Sequence, residues 1–260
     1  MLGTANKRTV LTLASTADGR DKHDVTVVPQ PSEGLLRFRE WIENNKRRVD
    51  QLSNGKLAYV YVPDTQSDGF LYFNRYFYSQ TDKHGVIVDE RNNHGGFIAD
   101  YVIRALQAQV AMGISSRDNT DLVDPVAHIP GPRVMIANQM SGSGGDALPW
   151  LFKRAKLGPL VGTRTWGGLV GIGDYPRLID GGGVTAPRGG LYSAEGKWEI
   201  ENLGVAPDVE VEQDPELVRQ GHDPQLEKAV QLALDALTKS PVVVLKRPAF
   251  PDYGPRLPKP

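Results

Sequence analysis

The segment of this sequence best suited to chemistry is a serine flanked by glycines. Residues 138–146 are Asn-Gln-Met-Ser-Gly-Ser-Gly-Gly-Asp, between an apolar run and an apolar helical pattern. Glycines on both sides of Ser143 allow a sharp strand-to-helix turn that exposes the hydroxyl. Backbone N–H groups and the positive helix end would then converge, as in sites that stabilise an oxyanion during acyl transfer. A serine that only caps the helix gives the same pattern, so this segment leaves both interpretations open.

A second glycine pair lies at another predicted strand-to-helix junction. Residues 88–97 are Val-Asp-Glu-Arg-Asn-Asn-His-Gly-Gly-Phe. The pair Gly95-Gly96 could supply a further N–H donor to the same oxyanion. A single glycine pair occurs in many loops, so it does not identify a site by its own pattern.

Composition excludes several classes of function. The 30 basic and 31 acidic side chains nearly cancel, so we expect neither a nucleic-acid nor a membrane partner. Absent cysteine excludes disulfides, thiolate catalysis and cysteine zinc sites. The scattered histidines predict no metal, and no cofactor is expected. No run reaches the ~20 apolar residues of a membrane span, and the start resembles no signal peptide, which favours a cytoplasmic protein.

The spacing of apolar residues predicts the elements that must position these segments. Apolar strands alternate with helical patterns, which favours an α/β core with a sheet covered on both faces. The predicted strands are 57–63, 85–90, 133–139, 160–165 and 209–212, and the predicted helices are 66–80, 97–111, 143–156 and 223–239. Before them we predict a hairpin of strands 8–14 and 24–29 and a helix from Pro31 to Leu52. The proline-rich tail from Pro241 is predicted to be extended.

Four ordered motifs resemble the tricorn core peptidases, relatives of the C-terminal processing proteases. They are DERNNHGG at 89–96, NQMSGSGGD at 138–146, GTRTWGGLVGI at 162–172 and ENLGVAPDVEVE at 201–212. The resemblance implies a serine peptidase with a crotonase or Clp-protease type of α/β core over residues 56–240. It also implies that residues 1–30 are the last strands of a PDZ domain, that 31–55 is a linking helix, and that 241–260 is an extended tail.

The resemblance also implies roles for individual residues. Ser143 would be the nucleophile, and the N–H groups of Gly96 and Gly144 would form the oxyanion hole. Glu201 would orient a catalytic histidine through a bridging serine, although by its own neighbourhood it is equally a surface carboxylate. We further expect Gly95, Gly167 and Gly168 to contact the substrate.

The general base is the point at which this sequence departs from its relatives. A lysine serves in the C-terminal processing proteases, but Gly168 stands at that position, and Lys153 and Lys156 would lie on the helix after the serine. The tricorn histidine belongs to a Ser-His pair, and no such dipeptide occurs here. His94 is close to Gly96 but would approach from the wrong side. We therefore expect a fragment whose histidine-bearing part precedes Met1 and whose activity is weak or absent.

Substrates and partners follow from the resemblance alone. It implies short peptides bound in an extended form and a homo-oligomer in the full-length protein. The position that favours basic side chains in tricorn falls near Ile114, with Asp118 and Asp121 close by, so an apolar preference is equally plausible. The alternative function is a non-catalytic peptide-binding or assembly module on the same fold. An acyl-CoA enzyme would leave Ser143 and Glu201 unexplained.

Overall fold

The computed structural model describes residues 3–117, 121–173, 175–243, 245–251 and 254. The chain divides into two compact units, Met1–Asn44 and Asn45–Pro260. Asp118 and much of the proline-rich tail, including prolines 255, 258 and 260, lie outside the described residues. Within the described part of the chain, no helix is both long enough and apolar enough to cross a membrane.

The first unit contains the predicted hairpin. Strands β1 (Thr9–Leu13) and β2 (His23–Val27) pair antiparallel, with Thr9 opposite Val27 and Leu13 opposite His23. Helix α1 (Gly34–Leu52) starts in this unit and continues into the second. The predicted hairpin and helix are confirmed. That the hairpin is part of a PDZ domain stays a prediction.

The second unit is built from repeated β-α units, as the apolar pattern predicts. Its elements, in chain order, are β3 (Leu57–Tyr61), α2 (Ser67–Tyr78), β4 (Gly85–Asp89), α3 (Ala99–Gln107), β5 (Met112–Ile114), β6 (Leu122–Asp124), β7 (Arg133–Ala137), α4 (Gly144–Arg154), β8 (Leu160–Gly162), β9 (Gly171–Gly173), β10 (Ala186–Gly189), β11 (Val209–Glu210), α5 (Pro215–Arg219) and α6 (Pro224–Lys239).

A parallel sheet forms the centre of this unit. Its strand order is β11-β8-β7-β4-β3, and every neighbouring pair is parallel. Strands β3, β4 and β8 are buried throughout, which explains why they are apolar on both faces. The predicted α/β class is therefore confirmed. Because parallel strands end at one edge, the loops after β3, β4, β7 and β8 are brought together there.

Three smaller features were not predicted from the sequence. Two short hairpins, β5–β6 and β9–β10, lie outside the main sheet, and α5 precedes the last helix. Their strands have three or four residues and are mostly exposed. Such short segments bury no face that a pattern of apolar residues would reveal. The described residues of the tail contain neither helix nor strand.

Candidate active site

Ser143 lies at the turn between β7 and α4, directly before the first residue of the helix. Its backbone has φ 55° and ψ −115°, and its hydroxyl makes no capping hydrogen bond. A positive φ is rare for residues other than glycine and is found where the surrounding structure holds the backbone under strain. An ordinary N-cap has an extended backbone and a bonded side chain. The conformation therefore resembles a nucleophile turn and differs from a cap.

Two glycines of the loop after β4 lie directly against this turn. A Cβ added to Gly95 would come 3.0 Å from the Ser143 Oγ, and one added to Gly144 would come 2.6 Å from the Gly96 nitrogen. Gly95 and Gly96 have φ values of 93° and 134°, which favour glycine. The two glycine segments are thus packed backbone to backbone, beside the serine hydroxyl.

The backbone N–H groups of Gly96 and Gly144 are unpaired within the described part of the chain. Neither donates a hydrogen bond to any residue that the structure describes. The hydroxyl of Ser143 also has no partner among the described residues. Unpaired N–H donors beside a half-buried serine hydroxyl are the arrangement that an oxyanion hole requires.

Thr65, in the loop after β3, holds the Gly95-Gly96 loop in place. Its N–H donates to the Gly95 oxygen at 2.8 Å, and its carbonyl oxygen accepts from the N–H groups of Phe97 at 2.7 Å and Ile98 at 2.9 Å. The Thr65 side chain is fully buried, and a Cβ on Gly144 would meet its Oγ1 at 1.9 Å. Sequence reasoning missed this residue, because its partners are 30 or more positions away and no motif marks it.

The loop after β8 forms the other wall of the turn. The N–H of Ser143 donates to the Gly168 oxygen at 2.9 Å. Asp146, on the first turn of α4, accepts from the N–H of Gly167 at 2.8 Å, from the N–H of Gly168 at 3.0 Å and from the Thr165 hydroxyl. Burial raises the pKa of Asp146, and these hydrogen bonds oppose that shift. Asp146 belongs to the quoted serine motif, but its function as the anchor of this loop was not predicted.

Glu201 supports the continuation of the same loop. Its Oε2 accepts from the N–H groups of Leu169 and Val170, both at 2.6 Å. Next to it, the N–H of Asn202 donates to the Gly167 oxygen at 2.7 Å. The Oε1 atom accepts no hydrogen bond from a described residue. The carboxylate is therefore tied to the loop by one oxygen, with the second oxygen available.

A further carboxyl group is buried beneath the serine turn. Glu90 is fully buried, and neither of its carboxyl oxygens has a hydrogen-bond partner among the described residues. Burial raises the pKa of Glu90 well above its usual range, and the nearby Asp146 and Asp89 raise it further. The protonated form of Glu90 is therefore favoured to higher pH than that of an exposed carboxyl group.

Among the described residues, none of the candidate general bases forms a hydrogen bond with Ser143. Lys153 donates to the Ala206 oxygen and pairs with Asp208, both at 2.8 Å, so it is engaged away from the serine. His222 contacts Glu227, and His94 is exposed. Across the described residues no histidine forms a hydrogen bond with Ser143 or Glu201.

Comparison with known proteins identifies the family. The model of peptidase family S41 matches residues 56–211. The chain therefore belongs to peptidase family S41.

Individual relatives share the name tricorn. The chain is 42% identical over 213 residues to a "Putative Tricorn-like protease C-terminal subunit" of Sulfurisphaera tokodaii, over 82% of this chain and 25% of that protein. It is 37% identical over 241 residues to "Tricorn protease homolog 1" of Streptomyces coelicolor, over 93% of this chain and 22% of the relative. A crystal structure of the tricorn protease matches with TM-score 0.85 and 34% identity, over 90% of this chain and 23% of that one. The chain thus spans about a quarter of the length of these relatives.

Proposed function

We propose that this chain carries the nucleophile and oxyanion hole of a serine peptidase. The observation that supports this most directly is the strained turn at Ser143, whose unpartnered hydroxyl lies beside the free N–H groups of Gly96 and Gly144. The Ser143 Oγ would attack the carbonyl carbon of a peptide bond. The two N–H groups would bind the resulting oxyanion, which lowers the barrier to reaction.

The proposed reaction has two stages. In the first, a base takes the proton from the Ser143 hydroxyl, the bond from Oγ to the carbonyl carbon forms, and the carbon–nitrogen bond breaks as the amine leaves with that proton. In the second, water attacks the acyl-enzyme and releases the acid and the free serine. Gly95, Gly167 and Gly168 stay proposed substrate contacts, and their Cβ positions face Ser143, the Leu203–Gly204 backbone and Trp166.

We propose that the base is a histidine from outside this 260-residue sequence. The Glu201 Oε1 atom is available to orient it through a bridging hydroxyl, as the resemblance of the motifs implies, while the Oε2 atom holds the Leu169–Val170 backbone. Without a base the serine hydroxyl is a poor nucleophile at neutral pH. The chain alone should then hydrolyse peptides slowly.

Assembly into an oligomer is part of the same proposal. One relative is described as a "C-terminal subunit", which supports an arrangement in which several chains combine. Short peptides are the proposed substrates, because the relatives are named proteases. Placement in the cytoplasm stays a prediction.

Chemical rescue tests this function and the missing base together. Hydrolysis of a fluorogenic peptide by the 260-residue chain should be slow, should increase with added imidazole, and should vanish in Ser143→Ala. His94→Gln should behave like the unchanged protein, because His94 is not the base.

Each other result has a distinct meaning. Rapid turnover without imidazole that Ser143→Ala abolishes would refute the external base and keep the nucleophile. Turnover that survives in Ser143→Ala would refute the peptidase site itself. Peptide binding with no hydrolysis at any imidazole concentration would favour the non-catalytic binding module.

A further inference from the structure

An apolar groove lies directly beside the proposed oxyanion hole. It has a volume of about 520 Å³, and its walls are Phe70 and Leu71 of α2 and Phe97 and Ile98 of the loop after β4. We refer to these four residues as the Phe97 groove. The buried Thr65 and the exposed Gln66 line its other side.

Three of the four apolar side chains that form the groove are strongly exposed. Phe97 is 93% exposed, Leu71 62% and Phe70 45%. Clustered apolar surface of this kind marks places where ligands or proteins bind. Since Phe97 follows Gly96 directly, the groove continues the proposed active site.

None of the side chains that line the groove is charged. Two carboxylates adjoin the lining residues along the chain. Asp64 accepts from the N–H groups of Gln66 and Gly69, both at 2.7 Å, so it stabilises the start of α2. Asp68 is exposed on the first turn of α2 and is not part of the lining. The lining side chains themselves therefore offer dispersion contacts and no counter-ion. An ammonium group buried there would lose its hydration without gaining a partner.

From the sequence, Ile114, Asp118 and Asp121 are positions that could influence a preference for basic side chains. None of them is shown to place a negative charge in the Phe97 groove. Ile114 is an exposed apolar residue of β5. The carboxylate of Asp121 is paired with Arg247, which lowers the pKa of that carboxyl. Asp118 lies outside the described residues.

We propose that the Phe97 groove binds an uncharged apolar side chain of the residue whose carbonyl group is attacked. Phe97 follows Gly96 directly and consecutive Cα atoms are ~3.8 Å apart, so a residue whose carbonyl oxygen binds at the Gly96 N–H lies within side-chain reach of the groove. This inference rests on the proposed peptidase function, and it adds the class of substrate that the site prefers.

Matched peptide boronates test the groove on the 260-residue chain. The two probes are identical except that the residue at the boron carries a norleucine or a lysine side chain, which differ mainly by the ammonium group. Their dissociation constants are measured by calorimetry for the unchanged chain and for Ser143→Ala, Leu71→Asp and Leu178→Asp. Leu178 is 51% exposed and outside the groove, so its variant controls for the added charge.

The groove predicts that norleucine binds about tenfold or more tightly than lysine, a typical margin for an apolar pocket. Leu71→Asp should remove or reverse this preference, and Leu178→Asp should retain it. Equal or tighter binding of the lysine probe, or an unchanged preference in Leu71→Asp, would overturn the proposal.

Two further outcomes separate this proposal from its alternatives. If Ser143→Ala binds both boronates as tightly as the unchanged chain, no covalent adduct forms and the proposed function fails, whatever the preference. If Leu71→Asp only breaks up an oligomer in sedimentation velocity, with the preference intact, the groove is a contact between copies and the proposal is overturned.

Discussion

At the scale of single residues, the strained backbone of Ser143 is the most informative feature. Its φ of 55° lies in a region that suits glycine. The conformation is held by the hydrogen bond from its N–H to Gly168 and by the helix that starts at Gly144. Such strain costs about 1–3 kcal/mol and persists at functional sites. The protein is therefore expected to give up stability to hold this hydroxyl in place.

Replacing Ser143 by glycine should therefore stabilise the chain relative to alanine. Ser143→Gly relieves the strain and Ser143→Ala keeps the Cβ that causes it. Glycine loses more backbone entropy on folding than alanine does. After this cost is subtracted from the relieved strain, the glycine variant should be more stable by about 1 kcal/mol. Urea unfolding at pH 7 measures the difference, with the alanine variant as the matched control. Equal stability of the two variants would show that the turn is relaxed.

The buried Glu90 predicts a dependence of stability on pH. Burial raises its folded pKa well above the usual value of 4.5, so the folded state holds a proton that the unfolded state releases. Stability is then complete below about pH 4.5 and decreases as the pH rises towards the folded pKa, by at most ~1.4 kcal/mol per pH unit.

Glu90→Gln, which cannot ionise, should remove this loss. The variant should match the unchanged chain near pH 4 and exceed its free energy of unfolding at pH 8. Urea unfolding at both pH values gives the comparison. The opposite result would be a free energy of unfolding that falls below that of the unchanged chain at pH 8 but not at pH 4. It would show that an ionised Glu90 is stabilised in the fold.

At the scale of elements, Asp146 joins the nucleophile helix to the loop after β8. Its carboxylate accepts hydrogen bonds from Thr165, Gly167 and Gly168, while the Gly168 oxygen accepts from Ser143. The loop and the serine turn therefore support each other. Loss of one partner would leave buried donors unpaired.

Asp146→Asn should weaken both the fold and the site. The amide NH₂ cannot accept from the loop N–H groups, so the chain should lose about 1–3 kcal/mol of stability, and its affinity for the norleucine boronate should decrease. Glu195→Gln breaks an exposed pair with Arg154 on the same helix and should change neither quantity. Unfolding and calorimetry measure the two effects. An Asp146→Asn chain that binds the probe normally would show that the loop is positioned by other contacts.

At the scale of the whole second unit, a buried ion network connects the sheet to the last helix. The Arg91 guanidinium donates to Asp89 at the end of β4 and to Asp223, which caps the start of α6 by accepting from the Leu226 N–H. Arg91 lowers the pKa of Asp223 against the effect of burial. Residues 132 positions apart are thus held together next to the loop that carries Gly96.

Arg91→Met should destabilise the chain strongly. It leaves two carboxylates without their buried partner, which costs about 3–5 kcal/mol. Arg91→Lys should recover only part of the loss, because an ammonium cannot reproduce the planar pattern of donors. Arg219→Ala, which removes an exposed pair with Glu216, should leave the denaturation midpoint unchanged. A tolerated Arg91→Met would show that packing alone joins the sheet to α6.

The sequence predicts the local parts of this molecule well and the non-local parts poorly. The strands β3, β4 and β7 and the helix α6 follow from apolar spacing, and the turn at Ser143 follows from its flanking glycines. Thr65 and Arg91 could not be predicted, because their partners are brought to them by the parallel order of the sheet. The short β9–β10 hairpin buries too little surface to leave a pattern. Contacts between residues on different strands and their loops therefore could not be predicted from the sequence.

The geometry of a boronate adduct tests the central claim most directly. In a crystal structure of the 260-residue chain with the norleucine boronate, we expect boron bonded to the Ser143 Oγ. One boron-bound oxygen should lie about 2.7–3.1 Å from the nitrogens of both Gly96 and Gly144. Boron bonded to Ser143 with that oxygen turned away from both nitrogens, or a probe bound elsewhere, would contradict the account.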